Sequence, residues 1–258
     1  MNRIEQVFEN EKAFIPFITA GDPDLETTKE LLTAMQEAGA DLIEIGIPFS
    51  DPVAEGPVIQ EADLRALESG TTTDKIFDMV MSVSGQLEVP IVFMTYINPV
   101  YVYGVEKFAK RAKECGVSGI IVPDVPFEEK EEIQSVFSRY DVTVISMIAP
   151  TSSDRVRMIA KEAEGFVYCV SSMGVTGVRA EINTGIADLI QKVKEVKEIP
   201  CAVGFGISTP EQAKEMAAVS DGAIVGSAIV KIVAKYGDKS VPYVKQYVSE
   251  MKQAVLQA

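Results

Sequence analysis

The sequence predicts an α/β fold, a single (β/α)8 TIM barrel spanning residues 1–258 with an extra N-terminal helix. Three observations point there. Eight short β-branched runs alternate with longer amphipathic segments. No GxGxxG fingerprint follows the first run, which disfavours the alternative of an open, doubly wound sheet. No Gly/Ser linker or low-complexity tract interrupts the alternation, and 258 residues at 47% hydrophobic content can fill one large core.

The elements follow in order. Residues 2–11 precede the first strand and predict a helix that caps the barrel floor. Strand one covers residues 14–19. The helix at 25–38 buries Leu31, Leu32, Met35 and Ala38 on one face, with Asp24 as N-cap and Gly39 just past its end. Strand two covers 41–47 and strand three 90–96. The helix at 105–115 stops before Gly116 and leads into strand four at 119–123. Residues 128–137 predict a helix and 142–149 the fifth strand. Ser153 caps a helix over 153–163, which ends before Gly165. Strand six covers 166–171, followed by a helix at 186–196. Strand seven, 201–206, a helix at 210–218, strand eight, 222–225, and a helical segment at 228–234 complete the alternation.

Composition then restricts the chemistry. The chain contains no His, which removes Ser-His-Asp and Cys-His nucleophile pairs and the commonest metal ligand. Acid–base work falls to carboxylates, Lys, Tyr or Cys. Lys plus Arg number 24 against 38 Asp plus Glu, a net charge of −14 that repels nucleic-acid phosphates and anionic lipid. Cys115, Cys169 and Cys201 are odd in number, form no CxxC and sit in apolar segments, as reduced core thiols do in a cytoplasmic protein. The N-terminus has an early acid and no long apolar run, unlike a signal peptide, and the most apolar stretch, 223–230, is too short to span a bilayer.

In a barrel, chemistry belongs at the C-terminal ends of the strands. Strand two alternates Ile43, Ile45 and Ile47 on one face with Leu42, Glu44 and Gly46 on the other. The isoleucine face suits packing under helices, so Glu44 points into the barrel. An unpaired carboxylate there is unfavourable by several kcal/mol. A structural ion pair would explain it, yet no strand interior offers an obvious basic partner, and a functional role is the better reading. The next loop, 48–57, holds three prolines and a second acid, Glu55, able to reach the barrel mouth. Two carboxyl groups in different environments can divide acid and base roles. Gly204 and Gly206 at the end of strand seven, with Gly226 and Ser227 at the end of strand eight, suit a phosphate bound by bare amides at a helix N-terminus. The stretch 171–177, with Gly174 and Gly177, forms either a lid hinge or a simple turn. Phe17, Tyr96 and Tyr168 could together line a pocket for a flat apolar ring.

Several blocks resemble one family closely: Pro16-Phe17-Ile18-Thr19-Ala20-Gly21-Asp22-Pro23, Glu44-Ile45-Gly46-Ile47-Pro48-Phe49-Ser50-Asp51-Pro52, Gly174-Val175-Thr176-Gly177 and Gly204-Phe205-Gly206-Ile207-Ser208. In order and spacing, from about residue 14 to 231, the chain resembles the tryptophan synthase alpha subunit family. The second block is the specific one. The resemblance implies a lyase that cleaves indole-3-glycerol phosphate to indole and glyceraldehyde 3-phosphate by a retro-aldol route, with no metal and no organic cofactor on this chain. Glu44 matches the family's general acid–base. It would protonate indole C3 and help remove the proton of the hydroxyl next to the breaking bond. Glu55 stands where the family usually has Asp, whose role is to bind the indole N–H and stabilise the positive indolenine. Phe17, Ile59, Tyr96, Tyr168 and Phe205 match positions lining the indole and its side chain. Thr176 matches the mobile-loop residue that orders beside the second acid, and Gly177, Gly206, Gly226 and Ser227 match the phosphate cradle.

The resemblance further implies a beta subunit carrying pyridoxal phosphate, joined in an alpha2beta2 heterotetramer through which indole passes. Segments 49–57 and 98–104 match the docking face. The longer Glu55 keeps two other roles open: a largely non-catalytic activator of the beta chain, and a stand-alone lyase that releases indole. Another phosphosugar isomerase or epimerase of the barrel class is more remote, because the Glu44–Pro52 block argues against it.

Overall fold

The computed structural model describes residues 3–171, 179–204 and 206–258. Its first half runs α1 (Arg3–Gln6), β1 (Ala13–Thr19), α2 (Leu25–Glu37), β2 (Ile43–Gly46), α3 (Pro57–Glu68), α4 (Thr73–Val83), β3 (Ile91–Met94), α5 (Ile97–Tyr103), α6 (Val105–Glu114) and β4 (Val117–Ile121). A 3-10 turn, Phe127–Glu129, then leads into α7 (Glu131–Ser138), β5 (Thr143–Val144), β6 (Ser146–Ile148), α8 (Ser153–Glu162) and β7 (Val167–Val170). The last part holds α9 (Arg179–Lys194), β8 (Cys201–Gly204), α10 (Pro210–Val219), β9 (Gly222–Val225), α11 (Ser227–Tyr236) and α12 (Val241–Val255).

All strand pairs are parallel, in the spatial order β5-β4-β3-β2-β1-β9-β8-β7-β6. The two outermost segments are consecutive in the chain and joined only by Ile145, whose N–H still donates to Ile120 O at 2.9 Å. The expected fifth strand is therefore split. Its first half pairs with β4 and its second with β7, which brings the sheet round into a nearly closed barrel. Eight barrel positions are filled by nine strand segments.

Side-chain alternation divides the apolar residues into two bodies. Ile43, Ile45 and Ile47 join the larger one between strands and helices, with Phe14, Ile18 and Phe93. Ile15, Phe17, Leu42, Val92, Ile121, Phe166 and Ile224 fill the barrel interior. The division matches the period-two reading of strand two. Parallel strands covered on both faces are expected to be apolar throughout, and every residue of β1 is buried.

The helix signals hold with small shifts. Asp24 accepts from Thr27 N–H at 2.7 Å at the start of α2, and Gly39, Gly116 and Gly165 follow helices with positive φ. Ser152, one residue before the expected Ser153, caps α8. The N-terminal helix is corrected in length: a single turn, Arg3–Gln6, replaces the expected segment 2–11. It still caps the floor, since Ile4 is fully buried and lies against Gly119 and Gly165. The chain needs no longer helix there, because Phe8 continues the cap by packing on Phe166 with ring centroids 5.6 Å apart.

The C-terminal α12 closes the helix layer on α2. Its Lys252 is nearly buried and donates to both carboxylate oxygens of Asp41, at 2.9 and 2.8 Å, while Asp41 also accepts from Phe14 N–H at 2.6 Å. One side chain thus ties α12 to the entry of β2 and to β1. Among the described residues, no helix is long and apolar enough to cross a membrane, and Cys115, Cys169 and Cys201 are free and buried.

Candidate active site

Strand register sets the site. Phe17 on β1 pairs with Glu44 on β2, and Glu44 pairs with Val92 on β3, so all three belong to one level of the barrel interior. Glu44 is 1% exposed. Among the described residues its Oε1 has no hydrogen-bond partner, and no cation forms an ion pair with it. Burial, and then the charge of Glu55, pushes its carboxyl up to about 8. Glu44 therefore carries a proton at neutral pH, buried among apolar side chains of the barrel interior.

Glu55 lies two residues before α3, in the loop that leaves β2. Burial pushes it up to about 7, so near neutrality it exchanges its proton readily. The loop is pinned over the mouth by Tyr96, whose hydroxyl accepts from Ala54 N–H at 2.9 Å. Phe49 packs on the Tyr96 ring with centroids 5.6 Å apart. Tyr96 lies beyond the end of β3 and N-caps α5, rather than closing the strand as expected.

The pocket walls come from both halves of the barrel. Tyr168 is buried and sits within β7, not at its end, and its ring spans the interior over Gly204 on the neighbouring β8. A Cβ at Gly204 would lie 2.3 Å from the Tyr168 hydroxyl oxygen, so only glycine admits the ring. Gly46 plays the same part for Phe17, whose ring would meet a Cβ there at 2.6 Å. Ile59, on the first turn of α3, belongs to the same inner body as Phe17 and Tyr168. At the far side β9 ends at Val225, Gly226 is the N-cap of α11 and Ser227 its first residue. Among the described residues no side chain caps α11, which leaves the amides of its first turn without a side-chain acceptor. Thr176, Gly177 and Phe205 lie outside the described residues.

One acid escaped the sequence reading. Asp63 is on α3, 5% exposed, and burial pushes it up to about 7, with the Phe49 amide pulling it down and the charges of Glu55 and Asp22 raising it. Its signal was present: Asp63 shares the helix face of Ile59, Ala62 and Ala66, where a charge has no bland place. Asp22 is also buried but is neutralised by Arg65 through two hydrogen bonds of 2.8 Å. The site is thus a three-carboxyl pocket in which Glu44 is the most deeply buried acid. The segments 49–57 and 98–104 each expose a large apolar side chain, Val53 at 81% and Val102 at 80%. The expected segment 98–104 is mostly the short helix α5.

Comparison with known proteins shows the family and the fold. The family model described as tryptophan synthase alpha chain matches residues 4–256. A tryptophan synthase alpha chain of Lacticaseibacillus casei is 47% identical over 255 residues, 99% of this chain and 96% of the relative. One from Halalkalibacterium halodurans is 48% identical over 241 residues, 93% of this chain and 91% of the relative. The solved tryptophan synthase subunit alpha of Legionella pneumophila superposes with a TM-score of 0.91 at 35% identity, covering 100% of both chains.

Proposed function

Since the chain belongs to the tryptophan synthase alpha chain family, we propose that its reaction runs on the two carboxyl groups Glu44 and Glu55. The chain is a carbon–carbon lyase of tryptophan biosynthesis, cleaving indole-3-glycerol phosphate to indole and glyceraldehyde 3-phosphate. The observation that carries the division of labour is the isolation of Glu44, buried without a cation among the described residues and close enough to Glu55 to feel its charge.

A carboxyl held up to about 8 starts the cycle as an acid. It gives its proton to indole C3, which leaves an indolenine cation and a Glu44 carboxylate. That carboxylate then takes the proton of the hydroxyl beside the breaking bond. The carbonyl of the aldehyde forms, the C3–C bond breaks, and its electron pair returns to the ring, neutralising the cation. Glu44 ends protonated, as it began. Glu55 accepts the indole N–H, and its negative charge stabilises the ring cation while it exists. Its position near 7 lets it be ionised for this task while Glu44 stays an acid.

Phe17, Ile59, Tyr96 and Tyr168 would hold the indole and its side chain, with Phe205 beside them. Gly177, Gly206, Gly226 and Ser227 would bind the phosphate, using the open amides of α11 against the net charge of −14. Thr176 would order beside Glu55 when substrate is bound. This chemistry draws on no cofactor in residues 1–258, which we take as one barrel domain. Membership in the family implies a beta-subunit partner. We assign pyridoxal phosphate to that subunit and an alpha2beta2 assembly to the pair. The exposed Val53 and Val102 support docking through the 49–57 and 98–104 segments. Three buried, unpaired thiols support a cytoplasmic setting.

The test is indole release from this chain, alone and with added beta subunit. Release in both conditions, faster with the partner, is expected. Negligible release in both would leave only an activating role, and full activity alone would mark a stand-alone lyase.

A further inference from the structure

Outside the barrel interior, a second buried ionisable group stands without an ion-pair partner among the described residues. Lys130 joins the Phe127–Glu129 turn to α7 and is 7% exposed. Its Nζ donates to the Ser146 hydroxyl at 3.2 Å, and among the described residues no carboxylate reaches it within ion-pair distance. Ser146 alternates with Ile145 and Met147, which pack with the barrel interior, so it faces the helix layer instead. The pair borders a cavity of about 500 Å³ beside the split fifth strand, walled by Val122, Phe127, Ile133 and Val144. Arg155 at its edge is already held by Glu128 through bonds of 2.6 and 3.1 Å.

An ammonium has three donors, and here a single neutral hydroxyl uses one. Burying a cation among apolar walls is unfavourable unless an anion joins it. Burial accordingly pushes Lys130 down, against the pull of the charges of Glu164 and Glu162. The volume is that of a small-molecule site. We propose that this cavity, which extends from Lys130 to Ala54 and Val170 at the barrel mouth, is a second ligand site for a small monocarboxylate with an apolar body, its two oxygens on Lys130 and Ser146. One cation and one hydroxyl match a singly charged, two-oxygen group. A phosphate dianion would keep most of its oxygens unpaired against these walls. The proposal does not depend on the lyase reading.

Benzoate is a suitable probe, titrated by calorimetry into the full chain, with benzyl alcohol as the neutral comparator of the same ring. One benzoate per chain is expected. Lys130→Met keeps the length of the side chain and is expected to weaken benzoate by at least about tenfold, as loss of a charge-assisted bond should, while benzyl alcohol binds both proteins alike. Indole release by the variant is expected to stay within about twofold of the parent, since no transition-state contact is removed. Should Lys130→Met fail to fold, Lys130→Gln reads the same loss with a polar side chain. Equal benzoate affinity in parent and variant overturns the proposal, as does no binding to the parent at about 10 mM. Loss of indole release together with unchanged benzoate binding also overturns it, because Lys130 would then belong to the reaction centre.

Discussion

Glu44→Gln keeps the shape of the buried side chain, removes its ionisation, and should make folding less sensitive to alkali. In the folded chain burial first, and the charge of Glu55 second, raise this carboxyl from 4.5 to about 8. The folded state therefore binds the proton more tightly than the unfolded state. Stability from this group is fully present below about pH 4.5 and is lost as pH rises toward about 8. At about 1.4 kcal/mol per pH unit, the whole change amounts to about 5 kcal/mol, of which about 3 kcal/mol is gone by pH 7. The loss is steepest between about pH 5.5 and about pH 7, where the unfolded carboxyl is ionised and the folded one still protonated, and it flattens above about pH 8. Urea unfolding of both proteins between about pH 5 and about pH 9 reads Glu44 together with its coupling to Glu55, since the remaining titrating groups are common to the two. The stability difference, variant minus parent, should grow by several kcal/mol across that range with little change in the urea slope. A difference that stays flat would mean that Glu44 ionises as an ordinary solvated acid, and the buried-acid account would be wrong.

Two further outcomes follow from the pocket walls. Glu55→Asp draws the carboxylate back by about one C–C bond, roughly 1.5 Å; kcat should fall by about ten- to a hundredfold with the same products, and unchanged steady-state kinetics would show the extra methylene to be immaterial. Gly204→Ala places a Cβ 2.3 Å from the Tyr168 hydroxyl, so thermal unfolding should report a loss of about 1–3 kcal/mol, with KM for indole-3-glycerol phosphate raised about tenfold; normal values of both would show that the ring swings aside freely.

Much of this was legible because parallel strands covered on both faces are written as short apolar runs. The strand at 222–225 matches β9, and the alternation of Ile43 and Ile45 with Glu44 alone placed the acid inside. The break in the fifth strand was not legible. Residues 142–149 read as one continuous apolar run, and only the closing of the barrel makes the chain change partners at Ile145. Helix α5 was not among the expected helices; it is short, and Asn98 and Pro99 sit in its first turn, where Pro has no intrahelical bond to lose. Asp63 and Lys130 escaped because attention to strand ends passes over acids and bases carried by helices. Asp63 could have been found from the buried stripe of α3. Lys130 could not, because its burial depends on how the 3-10 turn and α7 fold over Ser146.

The central claim is that one buried carboxyl moves the protons of this reaction. Its most direct measurement is single-turnover cleavage of indole-3-glycerol phosphate by Glu44→Gln, beside equilibrium binding of the same substrate. The account predicts affinity within about threefold of the parent and cleavage slowed by at least about a thousandfold, as expected when a group acts only in the transition state. Cleavage within about tenfold of the parent rate, with binding intact, would take Glu44 out of the chemistry.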